Sequence, residues 1–218
     1  MTDLYLGIAV QLSRGSACAV IDETGTMTAS TRFTLVEQAR DWIAEIAARS
    51  SATPVIGIDG PRQPLVEGRP WHWNGRGRLW RKRGANEPGH GRHCEVVLNA
   101  HGLANPQWTP LVDDVPKWMQ LGFDLYEALA EYATLEVFPT ASYRLLRGCP
   151  DVHVDLNFAD FASGPKDMLD ACMGAATVRE HAAGRGEAVG GGDGLGAIVL
   201  PRPITDGRIS AVFDWPAE

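Results

Sequence analysis

Four cysteines (Cys18, Cys94, Cys149, Cys172), no two of them in a Cys-x-x-Cys pair, argue against a disulfide framework and for reduced thiols in a cytoplasm. Lysine is scarcer still. Lys82, Lys117 and Lys166 each lack a preceding glycine, which excludes a Gly-x-x-x-x-Gly-Lys phosphate loop. No Gly-x-Ser-x-Gly elbow supports a serine hydrolase. The glycine-rich run 184–196 contains no Gly-x-Gly-x-x-Gly, follows a helical pattern and reads as a flexible connection. No apolar run approaches the length of a membrane span, and Met1-Thr2-Asp3 lacks the basic start of a signal peptide. Neither an internal repeat nor a domain linker stands out. With 44% hydrophobic and 22% charged residues, the chain has enough apolar content for a real core, and a soluble cytoplasmic protein without a membrane partner is expected.

The stretch that organises the rest is Pro54-Val55-Ile56-Gly57-Ile58-Asp59-Gly60-Pro61, a short apolar strand that ends in a carboxylate and is stopped by Gly-Pro. An apolar strand of this kind suits the middle of a parallel sheet, and a charge at its C-terminal end lies where open α/β sheets build their sites. Thr134-Leu135-Glu136-Val137-Phe138-Pro139 repeats the arrangement. Before the first of these, strands over about 4–10, 16–21 and 27–34 form an antiparallel meander through the turn at Asp22-Glu23-Thr24-Gly25. Thr34 and Glu37 have capping-box spacing, and the helical pattern of Leu35, Ala39, Trp42, Ile43 and Ile46 runs to about Arg49. Further helices are expected over about 96–103, from Pro116, over 143–147, and from Ser163-Gly164-Pro165 to about Ala183. A last strand follows at 197–200.

Residues 62–92 read as mostly irregular chain of unusual composition. They hold eight of the twenty basic residues against two acids, a balance of +6 that leaves −13 for the rest. Trp71, Trp73 and Trp80 lie among the arginines. Arginine suits phosphate oxygens and indole suits stacked bases, so Arg62, Arg78, Arg81, Arg83 and Arg92 are candidate substrate contacts and nucleic acid a candidate partner. The competing reading is a surface loop whose tryptophans pack back onto the body while its arginines stay in water.

Asp59, Glu136, Asp167 and Asp170 are the candidate catalytic acids. Asp167 and Asp170 lie three apart near a helix start and share a face with Ala171 and Gly174, small residues that would let the helix approach a strand end. Converging carboxylates repel unless protonated or bridged, and their oxygens suit Mg²⁺ or Mn²⁺, metals that can drive phosphodiester hydrolysis. Each acid also has a plain structural reading: dipole complement for Asp167 and Asp170, turn cap for Asp59. Glu136 is the hardest to read so, because an acid inside an apolar strand is costly without a partner. His90, His93, Cys94 and His101 cluster, but in no common zinc-module spacing.

Leu6-Gly7-Ile8, Ile56-Gly57-Ile58-Asp59-Gly60-Pro61, Arg92-His93-Cys94-Glu95, Glu136-Val137-Phe138-Pro139, Asp167-Met168-Leu169-Asp170-Ala171 and Ile198-Val199-Leu200-Pro201 follow one another in an order that resembles the bacterial domain-of-unknown-function family four-twenty-nine, predicted RNase H-like nucleases. The resemblance spans most of the chain. It implies a ribonuclease H-like three-layer α/β fold with a mixed central sheet whose first three strands form an antiparallel meander. Residues 1–218 would be a single domain carrying a basic Trp/Arg-rich insertion at about 62–112. It also implies Asp59, Glu136 and Asp170 as ligands of Mg²⁺ or Mn²⁺, with Asp167 a fourth or supporting acid. The chain departs from the family at Ala9, where the pattern has an acid in the first strand. Three readings follow: a metal-dependent nuclease or phosphodiesterase, a catalytically degenerate module that binds nucleic acid or another anion, and a nucleotide phosphotransferase on the same core fold.

Overall fold

The computed structural model describes residues 4–50, 53–155 and 165–217. A seven-stranded mixed sheet is ordered β3-β2-β1-β4-β7-β9-β8. Its strands are β1 (Tyr5–Ala9), β2 (Ser16–Ile21), β3 (Met27–Phe33), β4 (Val55–Asp59), β7 (Ala133–Val137), β8 (Glu187–Gly190) and β9 (Ala197–Leu200). β1, β4, β7 and β9 are parallel, the β1-β2-β3 meander is antiparallel, and β8 pairs antiparallel with β9.

Side-chain size along the central strands decides which helix lies on which face. In β1 and β4, Leu6, Ile8, Ile56 and Ile58 join Ala39 and Ile43 of α1 (Val36–Ser50) and Leu121 and Leu125 of α3 (Lys117–Ala128) in one core. Toward the site end of these strands the alternate positions are small, at Gly7, Ala9 and Gly57, as they are in β2. Ala9, Ala17 and Ala19 meet Met168, Ala171 and Cys172 of α5 (Pro165–Ala182) on the opposite face. Gly7 is where β1 and α5 come closest: a Cβ there would lie 1.9 Å from the Ala171 carbonyl oxygen. The small residues expected to permit close approach therefore do so, joined by Gly7 and Gly57 on the strands. Remaining helices are α2 (His93–Ala100), which packs with β8 and β9, and α4 (Pro139–Leu145), which packs with α5.

Several local expectations are corrected. Residues 62–92 are mostly irregular, as expected, except that β5 (Trp71–Asn74) and β6 (Leu79–Lys82) pair within them as a separate antiparallel hairpin. The base of this insertion is tied down where the Leu65 amide donates to the Pro110 carbonyl and the Val112 amide to the Leu65 carbonyl. The run 184–196 is not only a connection, because β8 forms within it and adds an edge strand. At the start of α1 the reciprocal bond is shifted by one residue. Gln38, not Glu37, accepts from the Leu35 and Thr34 amides. α2 begins earlier than expected, at His93, and α4 spans 139–145 rather than 143–147. The cap expected at Ser163 lies outside the described residues. No helix among them is long and apolar enough to cross a membrane.

Candidate active site

Asp59 ends β4 and is the register partner of Ala9 at the end of β1. Alternation puts it on the face of Gly57, toward α5. Burial drives its carboxyl up, the neighbouring charges of Asp170 and Glu136 add to this, Lys166 opposes, and the outcome is a pKa of about 7. Asp170, in the second turn of α5, accepts a hydrogen bond on Oδ2 from Lys166, while its Oδ1 is buried without a hydrogen-bond partner. Tyr143 of α4 stands close enough for its phenol to act as a donor toward Asp170, and burial together with the Asp170 carboxylate holds that phenol protonated.

Glu136 is the register partner of Ile58 and so belongs to the other face of the sheet. It is gripped by Arg92, whose Nη1 donates to Oε2 at 2.8 Å and whose Nη2 donates to Oε1. Arg92 also donates to Glu95 Oε1, through Nη2 at 2.9 Å, and to the Thr109 hydroxyl. Glu95 in turn accepts from the Arg92 and Thr109 amides. Burial works against the guanidinium charge, but the Glu136 and Glu95 carboxylates outweigh it, so Arg92 stays charged. A cavity of about 130 Å³ opens at these strand ends, lined by Asp59, Glu95 and Glu136 together with Gly60, Gln107 and Trp118.

The four acids expected to converge are therefore divided. Asp59 and Asp170 come together. Glu136 borders the same cavity with an arginine fixed to it. Asp167 is taken by Arg14, whose Nε and Nη2 donate at 3.1 and 3.2 Å, with Arg32 at 3.7 Å. Among the described residues no group of three His, Cys, Asp or Glu side chains is arranged to hold a metal ion. What remains is a carboxylate pair with one orphaned oxygen and one carboxyl that resists ionising. A hard cation whose other positions are filled by water and substrate oxygens would satisfy both. Were a Mg²⁺ or Mn²⁺ bound here, Asp59 and Asp170 would be the residues to hold it.

The basic segment is mostly committed to its own architecture. Arg81 forms a two-pronged pair with Glu87, and Arg83 donates to the Arg69 and Glu87 carbonyls. Arg62 lies 4.3 Å over the Tyr126 ring and donates to Thr134. Arg92 is buried as described. Arg78 is exposed in the hairpin turn, with φ of +51°. Trp73 and Trp80 pack edge to face, and Trp80 donates to the Ala211 carbonyl and meets Trp215. For these residues, tryptophans packed back onto the body is what the structure contains. His93 is structural too: its Nδ1 accepts from the Gly192 amide, which leaves Nε2 to donate to the Val212 carbonyl.

Glu95, Lys166 and Tyr143 were not singled out as site residues from the sequence. Glu95 could have been, since Arg92 and Glu95 are three apart at a helix start where a charged pair can close on itself. Comparisons with protein-family models, with curated proteins and with solved structures find no match to this chain.

Proposed function

We propose that the chain is a Mg²⁺- or Mn²⁺-dependent phosphodiester hydrolase acting on nucleic acid, with Asp59 and Asp170 as its metal ligands. The observation that carries this reading is unmatched negative charge: Asp59 raised to about 7 beside an Asp170 oxygen that is buried with no partner. A cation bound there would act as a Lewis acid on a phosphoryl oxygen and lower the pKa of its water. Arg92 holds Glu136 and Glu95 in place as the cavity wall, and Lys166 neutralises part of the Asp170 charge. The strand order, with parallel strands flanked by the β1-β2-β3 meander, suits a ribonuclease H-like fold and is in keeping with the resemblance to family four-twenty-nine.

A second reading, a degenerate module that binds an anion without cleaving it, is favoured by Ala9. The position paired with Asp59 in the neighbouring strand carries a methyl group where a further ligand would sit. The test is Mn²⁺ titration calorimetry together with cleavage of single- and double-stranded oligonucleotides, on the wild type, Asp59→Asn and Asp170→Asn. The hydrolase reading expects saturable Mn²⁺ binding and Mn²⁺-dependent cleavage, with affinity falling at least about a hundredfold in either variant. Cleavage that persists unchanged in both variants would sink it.

A further inference from the structure

A second cavity, of about 330 Å³, lies against the insertion and is lined by Arg69, His72, Trp73, His90, Asn99 and Trp108. Its composition differs from that of the first: it contains no carboxylate. Arg69 Nε and Nη1 and His72 Nδ1 are buried without a hydrogen-bond partner. The Arg69 guanidinium lies 5.3 Å from the centre of the Trp108 ring. Buried guanidinium donors left unmatched are costly, and they recur where a ligand oxygen completes them. An arginine beside two indoles, with an asparagine amide at the wall, suits an anion that also carries a flat ring. The volume suits one such unit.

The two cavities share a wall. Glu95 lines the first and Val96 the second, as neighbours on α2, while Gln107 lines the first and Trp108 the second. The Arg69 cavity thus flanks the carboxylate cavity, and a strand bound at both would cross that wall.

We propose that the Arg69 cavity binds one nucleotide of a nucleic-acid strand, its phosphate on Arg69 and His72 and its base against Trp108 and Trp73. The placement next to a scissile bond rests on the hydrolase reading; the binding does not. Titration calorimetry in EDTA, on the full chain, separates the two. The probes are adenosine and uridine monophosphates, the parent nucleosides, inorganic phosphate and a short single-stranded oligonucleotide. The expected result is saturable binding of at least one monophosphate, at least tenfold tighter than its nucleoside or phosphate, with the oligonucleotide tighter still. Arg69→Lys, which keeps the charge and loses the planar guanidinium, should weaken it at least tenfold. Absence of saturable binding by every nucleotide probe would overturn the proposal, as would affinity unaffected by Arg69→Lys. Monophosphate binding without oligonucleotide binding would overturn its strand form. Nucleotide binding by a protein that cleaves nothing would leave this site standing and remove the hydrolase reading.

Discussion

At the C-terminal end of α5, Glu180 is buried among three arginines; near the N-terminal end, Asp170 has a lysine on one oxygen and no charged partner on the other, where the Tyr143 phenol is the nearby donor. Arg185 donates to both oxygens of Glu180, at 2.6 and 2.9 Å, Arg202 adds a further bond and ties in Asp151, and Arg179 lies at 3.3 Å. Burial alone would raise the Glu180 carboxyl, but these donors overcome it and hold the pKa at about 2. Asp59, next to Asp170, goes the other way, to about 7. The same helix thus carries near its C-terminal end a buried carboxylate satisfied within the chain, and in its second turn a half-buried one with an oxygen left to be satisfied from outside. Burial by itself does not mark a site; burial without matching donors does.

The largest effect is expected at the satisfied end. Glu180→Gln leaves the arginines facing a neutral amide and should cost about 3–5 kcal/mol, a fall of roughly 10 °C in melting temperature. Because the folded-state pKa is depressed, the charged pairing stabilises above pH 4.5 and is lost as pH falls toward 2. The gap between variant and wild type should therefore close over that window in thermal melts. At the unsatisfied end the sign reverses. Asp59 has a raised folded-state pKa, so its penalty is absent near pH 4 and grows as pH rises through 7. Asp59→Asn should be more stable than the wild type by about 1–3 kcal/mol at pH 8 in EDTA and no more stable at pH 4, read from denaturant unfolding. A gain of equal size at both pH values would break the comparison. Lys166→Ala should move stability by only a few tenths of a kcal/mol (roughly 0.3), since the lysine is exposed. It also removes a positive charge that competes with a cation for Asp170, so calorimetry should find Mn²⁺ binding severalfold tighter. Weaker Mn²⁺ binding would mean that Lys166 helps to build the site.

The central strands and the order of elements were legible because their signals are local. Val55–Asp59 and Ala133–Val137 are apolar runs bounded by proline or glycine, and the Asp22–Gly25 turn joins β2 to β3. β5, β6 and β8 were not, because four-residue strands such as Trp71–Asn74, Leu79–Lys82 and Glu187–Gly190 lack an apolar run and are held by their partners and not by a pattern of their own. Which of the acids meet was not legible. Asp167 and Asp170 differ by three residues in sequence, yet Arg14 and Arg32 from the first hairpin take the one and leave the other. Glu136 looked costly without a partner, and the partner, Arg92, lies 44 residues away in the segment first considered for substrate. Pairing across such separations is decided by the fold.

The most direct measurement is the titration of the Asp59 carboxyl by carbon-detected NMR, without metal and then with Mg²⁺. A midpoint near 7 in EDTA that drops to the ordinary aspartate range or below on adding Mg²⁺ is the expected result. An ordinary midpoint in EDTA, indifferent to Mg²⁺, would contradict the claim that this end of α5 holds a charge awaiting a cation.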